Sequence, residues 1–335
     1  MKKLSFGIDI GGINTAIGLV DQEGEIYAEG GIKTADFPRF DDYPQYIATL
    51  TAAMHQLLKQ LDFKYELIGV GIGAPNASFH SGCIEQPANL WKYQANNVGL
   101  NEEARIFNIV EDLRKEFPSA THVAVTNDAN AATIGEMIFG NAKGMRDFVM
   151  ITLGTGLGSG FVSNGEMIYG HDGFAGEFGH VTVERGGRTC GCGRKGCLET
   201  YVSATGIKRT AFELMATTNI PSELRNIPFK EFDALDISKA AKNNDPLALE
   251  IFRYTGEVLG RALADVCTIT SPEAIILFGG LAKAGELLFV PTKRYMEENM
   301  LFTFRNKVML LPSGIQDKNT AVIGASALVW QMYNE

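Results

Sequence analysis

The chain is poor in the features that mark several protein classes. It has only 30 lysines and arginines against 39 aspartates and glutamates, a formal net charge of −9, so its long-range field repels polyanions and nucleic acid is not an expected partner. Long apolar runs are missing. Two N-terminal lysines are followed by a short apolar stretch broken at Asp9, too brief for a signal-peptide core or a membrane span, and a cytoplasmic protein with no membrane partner is expected. No Gly-x4-Gly-Lys-Ser/Thr loop occurs, which disfavours a P-loop enzyme. Low-complexity segments and long linkers are absent as well. The five cysteines are too few and too unevenly spaced for a disulfide framework: Cys190, Cys192 and Cys197 crowd together, and Cys83 and Cys267 read as ordinary buried thiols.

What is present is a large apolar share, 45% of 335 residues, with 21% charged. That is ample for a packed interior, and the length exceeds the roughly 250 to 300 residues at which single cores stop growing, so two domains are expected. Alternating patterns predict strands over Leu4–Ile10, Ile17–Val20, near Ile26, over Leu67–Ile72 and over His122–Thr126, with helices over Tyr43–Leu61, Asn101–Glu116 and Ala129–Phe139. Strand and helix alternate as in α/β proteins.

The first hairpin returns later in the chain. IDIGGINTAIGLVDQEGEI and ITLGTGLGSGFVSNGEMI keep their glycines, apolar positions and closing Gly-Glu turn, at an offset of about 140 residues that is too long for a solenoid repeat. The sequence therefore predicts an internal duplication. In each copy a glycine turn, Gly11-Gly12 or Gly154-Thr155-Gly156, joins two strands and directs backbone N–H groups into one concavity suited to anions. Such turns also serve merely to connect strands. Their equivalent places, with Asp9 before the first as a Mg²⁺ ligand and the Thr155 hydroxyl in the second, favour a clamp on one polyphosphate. A dinucleotide fingerprint needs a glycine turn that opens a helix, and here both turns open strands.

Cys190, Cys192 and Cys197 form C-x-C-x4-C in a loop with Gly191, Gly193 and Gly196. With His180 as fourth ligand they predict a closed, tetrahedral, structural zinc site, the alternative being unrelated buried thiols. A helical turn at Glu177–His180 would put one ring nitrogen on the metal and leave Glu177 and the other nitrogen for a substrate. Asp128, between a strand and a helix, is the candidate general base for phosphoryl transfer to a hydroxyl, the alternative being a plain helix cap.

Asp9-Ile-Gly-Gly12, Leu153-Gly-Thr-Gly156, Asn127-Asp-Ala-Asn-Ala-Ala132, Glu177-Phe-Gly-His180 and the cysteine segment ending at Glu199 together resemble the ROK family (repressors, open reading frames, kinases) over nearly the whole chain. The resemblance implies an α/β, duplicated actin-like, ribonuclease-H-like fold of two domains around a central cleft, here divided as 1–125 plus 318–335 and 126–317. It implies ATP with Mg²⁺, phosphorylation of a hexose, foremost glucose to glucose 6-phosphate, and a homodimer or homotetramer. Fructose, mannose, allose and N-acetylhexosamines are the rival sugars. A non-enzymatic sugar sensor is the rival class, and a repressor, which would need a DNA-binding module ahead of the first strand, is not expected.

By residue, the family match makes Asp128 the base and Asn127, Glu177, His180 and Glu199 sugar contacts. It adds Asn76, in Gly73-Ala-Pro-Asn76 where the family has G-x-P-G, and Asn89, which also reads as an ordinary turn residue. Gly279-Gly280 resemble the adenosine segment. Ile13 departs from the family, which has a hydroxyl residue there, and Asn14 or Thr15 is expected to compensate. The glycines of both phosphate turns lie far in sequence from the cysteine segment, so the turns are expected to be independent of the zinc.

Overall fold

A computed structural model describes residues 1–87, 90–91, 106–315 and 319–334. The chain divides into two compact units, one of 1–144, 167–175 and 314–335, the other of 145–166 and 176–313.

In the first unit, β1 (Lys2–Ile10), β2 (Thr15–Val20) and β3 (Ile26–Ile32) form an antiparallel meander. α1 (Tyr43–Lys59) leads to β4 (Tyr65–Gly73), which runs parallel to β1. The short strands β5 (Ala77–Ser78), β6 (Cys83–Glu85) and β7 (Ile106–Phe107) form a small separate sheet. Then come α2 (Ile109–Glu116), β8 (His122–Thr126), parallel to β4, and α3 (Asp128–Phe139). The helix expected from Asn101 begins only at Ile109, because residues 106–107 extend to pair with β6; residues 101–105 lie outside the described residues.

The second unit repeats the plan. β9 (Phe148–Leu153), β10 (Leu157–Ser163) and β11 (Glu166–Met167) form the meander. α4 (Ala204–Thr217), α5 (Ala234–Lys242) and α6 (Pro246–Thr270) precede β12 (Ala274–Phe278), α7 (Glu286–Asn299) and β13 (Met309–Pro312). α8 (Thr320–Asn334) returns to the first unit. The two main sheets have the orders β3-β2-β1-β4-β8 and β11-β10-β9-β12-β13, so the same strand occupies the same place in each copy, as the repeated hairpin predicts.

β4 and β1 are apolar on both faces, as strands of the parallel half of a covered sheet should be. α8 covers one face. It is buried from Val322 to Trp330, and it sits close because Gly7 and Gly71 have no side chains; a Cβ on either would stand 1.9 Å from the carbonyl oxygen of Val322 or Ala325. α3 packs on α8, so it and Asp128 belong to the first unit by contact, and the unit boundary falls near residue 144 instead of the expected 125. No helix among the described residues is long and apolar enough to cross a membrane.

Candidate functional site

In the first unit the carboxyl ends of three neighbouring strands bring the chemistry together: Asp9 of β1 pairs with Gly73 of β4, which pairs with Thr126 of β8. Asn127 caps α3, its Oδ1 accepting the N–H groups of Ala129 (2.7 Å) and Asn130 (3.2 Å). The alternative reading of Asp128 as the cap thus falls to its neighbour, and Asp128 is the first helical residue, its Oδ1 accepting from Ala129 N at 2.8 Å. Gly73 keeps the space between the acids open, since a Cβ there would lie 3.9 Å from Asp9 Oδ1 and 3.7 Å from Asp128 Cα.

Burial, and then the Asp128 charge, push the Asp9 carboxyl up to about 6. Asp128 reaches water on one side, yet the protein packed round the rest of it raises its carboxyl too, against the lowering effect of the Ala129 N–H. A raised acid opposes folding once ionised. The cost is absent below the usual carboxylate value of 3.8 and complete above about 6. Asp9→Asn should therefore raise the melting temperature of the ligand-free protein at pH 7.5, by at most about 3 kcal/mol of stability, and bring little or no gain at pH 3.5. Thermal scans at both pH values check this; an equal gain at both would contradict it.

The first glycine turn is closed by a bond from Gly11 N–H to Asn14 O at 3.0 Å, and the second by one from Gly154 N–H to Gly156 O at 3.1 Å. The first glycine of each turn therefore shapes it and spends its own N–H there. Gly12, Ile13 and Asn14 form an exposed tip. Thr15 does not replace the hydroxyl missing at Ile13: it is 1% exposed, and its Oγ1 bonds Thr34 and Tyr46 within the core. Alternation along β2 puts Thr15, Ile17 and Leu19 on one inward face, so Asn14 remains as the exposed polar residue.

Asn76 adopts φ +56°, the left-handed conformation expected where the family has glycine. Its carbonyl accepts Glu85 N–H at 2.9 Å and fixes the turn onto β6. Asn89 lies outside the described residues.

In the second unit the carbonyls of Gly154 and Thr155 accept from Ala204 N and Thr205 Oγ1, both at 2.9 Å, at the start of α4. In a trans peptide the next N–H points opposite to the carbonyl, so the Thr155 and Gly156 N–H groups both point away from α4, as an anion cradle needs. Gly279-Gly280 follow β12, whose Phe278 pairs with Thr152 of β9. Gly279 takes φ +103° with Leu153 O 2.6 Å from where a Cβ would stand, and Leu281 N–H donates to that oxygen, setting this turn beside Gly154.

The ligand atoms of His180, Cys190, Cys192 and Cys197 all lie within 4.8 Å of one another. Cys192 Sγ and Cys197 Sγ are 3.8 Å apart, and Cys190 Sγ is 3.6 Å from His180 Nδ1. A tetrahedral zinc with Zn–S of about 2.3 Å and Zn–N of about 2.05 Å requires separations of about 3.8 and 3.6 Å, which these two pairs match, and three thiols with one imidazole are a zinc donor set. Glu177 begins a 3₁₀ turn, Phe178–His180, in which residues three apart eclipse. His180 Nε2 thus lies 3.9 Å from Glu177 Oε2 while Nδ1 faces the thiols.

Glu199 connects features that the sequence keeps apart. One oxygen is 3.0 Å from Cys190 Sγ and 3.8 Å from His180 Nδ1; the other accepts Leu157 N–H at 3.4 Å, beside Gly156. The second glycine turn is therefore in contact with the cysteine cluster through Glu199, where the sequence predicts the two to be independent. Arg188, unremarked in the sequence, holds the same loop: its buried guanidinium donates to Glu213, Thr200 O (2.7 Å), Gly206 O (3.2 Å) and Thr210 Oγ1 (2.9 Å), and lies over the Tyr201 ring. Its partners are spread from Thr200 and Tyr201, ahead of α4, to Glu213 within it, which leaves no local signal.

The family model of the ROK family matches residues 5–332. A glucokinase of Halalkalibacterium halodurans is 36% identical over 295 residues, covering 87% of this chain and 84% of that protein. A solved ROK family glucokinase from Streptomyces griseus, in complex with glucose and AMPPNP, superposes with TM-score 0.75 at 28% identity over 98% of this chain and 99% of that one. A ROK family transcriptional regulator, a homologue of the E. coli MLC protein, superposes with TM-score 0.84 at 25% identity, covering 99% of this chain and 78% of that one.

Proposed function

The chain belongs to the ROK family and has its duplicated actin-like fold, and from that premise we propose that it is an ATP-dependent hexose kinase, with glucose as substrate and glucose 6-phosphate as product. The observation that carries this reading is Asp128 itself, released from capping by Asn127 and lifted in pKa beside Asp9. A sugar sensor has no need of a poised proton acceptor.

In the reaction the sugar hydroxyl oxygen bonds to the γ-phosphorus of ATP, the bond from that phosphorus to the bridging oxygen breaks, ADP leaves, and the hydroxyl proton passes to Asp128. Asn127 has Oδ1 engaged in the cap, so its amide nitrogen is the group that donates to the sugar. Asn76, Asn89, Glu177, His180 Nε2 and Glu199 hold the other hydroxyls. The tip Gly12–Asn14 and the N–H groups of Thr155 and Gly156 receive phosphate oxygens, and Gly279-Gly280 flank the adenosine. Asp9, whose carboxylate has no hydrogen-bond partner among the described residues, suits a Mg²⁺ ion, which would neutralise phosphate charge.

His180 Nδ1 and the three cysteines would hold zinc, which would shape the loop that carries Glu177 and Glu199. About one zinc per purified chain is expected on metal analysis; a metal-free protein with full activity and an unchanged melting temperature would contradict the assignment.

A second reading, a sugar-responsive regulator, is favoured by the close superposition on the regulator structure. ADP release measured across glucose, fructose, mannose, allose and N-acetylhexosamines decides between them. Turnover with at least one sugar, glucose foremost, is expected of the kinase, and sugar binding without turnover is expected of the regulator.

A further inference from the structure

Residues 167–175 leave the second unit's meander after β11 and pack with the first unit before the chain returns at Gly176. Within the first unit this excursion meets the turn that follows Asn76, and it does so through three consecutive residues. Ser78 Oγ donates to Asp172 O at 2.9 Å. The Phe79 ring stacks on Tyr169, with centroids 4.5 Å apart and planes 6° from parallel. His80 Nε2 donates to Gly170 O at 3.0 Å. The fit is close: Gly173, at φ +90°, has no room for a Cβ, which would stand 2.5 Å from Ser78 Oγ.

On its other side the turn is tied to β6, where the Asn76 carbonyl accepts Glu85 N–H at 2.9 Å. Asn76 sits in a left-handed conformation, and the β5–β6 pairing spans only two residue pairs, Ala77 with Ile84 and Ser78 with Cys83. Two residues beyond the excursion is Glu177, and Gly176 is held by Ser159, whose hydroxyl donates to its carbonyl. One short stretch of chain thus grips the Asn76 turn and runs directly into the turn bearing Glu177 and His180.

We infer that the 167–175 excursion is a positioning element for the hexose, with Tyr169 as its principal residue: it fixes the Asn76 turn by the Phe79 stack and links that turn through the backbone to Glu177. The inference rests on the proposed hexose-kinase reading, in which Asn76 and Glu177 are sugar contacts. A misplacement of about 1 Å at such contacts is enough to cost on the order of 10²-fold. The phosphate turns have no side-chain bond to the excursion among the described residues, so the effect should fall on the sugar.

The test compares the wild-type chain, Tyr169→Ala and Tyr169→Phe, with the sugar that the wild type phosphorylates best. Tyr169→Ala is expected to raise sugar KM by roughly 10 to 100-fold, to leave ATP KM within about twofold, and to speed hydrogen exchange at the Ala77 and Glu85 amides. Tyr169→Phe, which keeps the stack, should restore sugar KM. Should Tyr169→Ala fail to fold, Ser78→Ala removes one hydroxyl only and should raise sugar KM alone, by a smaller factor. An unchanged sugar KM in the folded variant, or equal rises for sugar and ATP, overturns the inference and leaves the kinase reading standing. If the wild type neither turns over nor binds any hexose in calorimetry, the kinase reading itself has failed and the inference falls with it.

Discussion

Asp128→Asn is expected to bind ATP and hexose with near-normal KM and to lose roughly 10² to 10⁴-fold in kcat, the usual contribution of a general base. The substitution keeps size and shape. The amide oxygen can still accept Ala129 N–H, and the cap on α3 belongs to Asn127, so neither helix nor sheet should notice the change. Only proton acceptance is lost, and that interaction exists in the transition state alone. Because burial lifts the Asp128 carboxyl, the acid limb of the wild-type rate profile should lie above the ordinary carboxylate range, activity falling as the pH drops through it. Less than a tenfold loss in Asp128→Asn would assign the proton to another acceptor.

The next largest effect should follow from opening the zinc loop. Cys192 is its exposed ligand, 3.8 Å from Cys197, and Cys192→Ser should weaken zinc binding by at least the roughly 10 to 100-fold that losses just outside a metal's ligands produce. Glu177 and Glu199 lean on His180 and Cys190, so both should move and sugar KM should rise most. ATP KM should rise too, by a smaller factor, because Glu199 also holds Leu157 N–H at the second phosphate turn. Circular dichroism must show the variant folded, since structural zinc contributes folding energy. A folded, zinc-depleted variant with unchanged sugar KM would leave the loop a role in stability alone.

How far the sequence foretold this molecule depends on how local each signal was. The repeated hairpins were legible because strand alternation and glycine turns act over a few residues, and the strand His122–Thr126 has the expected bounds. The gathering of His180 with the three cysteines was legible for the same reason, as Cys190, Cys192 and Cys197 lie within eight positions. The unit boundary was not. It depends on α3 choosing α8, a helix nearly two hundred residues away, as its neighbour. Thr15 shows a signal present but overlooked: its place in the inward alternation with Ile17 and Leu19 forbade the exposed role expected of it. Glu199, Arg188 and Tyr169 owe their positions to tertiary contacts that no pattern along the chain encodes.

On the proposed reading this chain moves a phosphoryl group from ATP to a hexose. ATP labelled in its γ-phosphate, incubated with Mg²⁺, glucose and the zinc-loaded protein, tests it most directly, with Asp128→Asn alongside. Label is expected in a sugar phosphate, carried on the 6-hydroxyl, at a rate that collapses in Asp128→Asn. Label that stays in ATP or appears only as free phosphate, with glucose and with every other hexose tried, would contradict it.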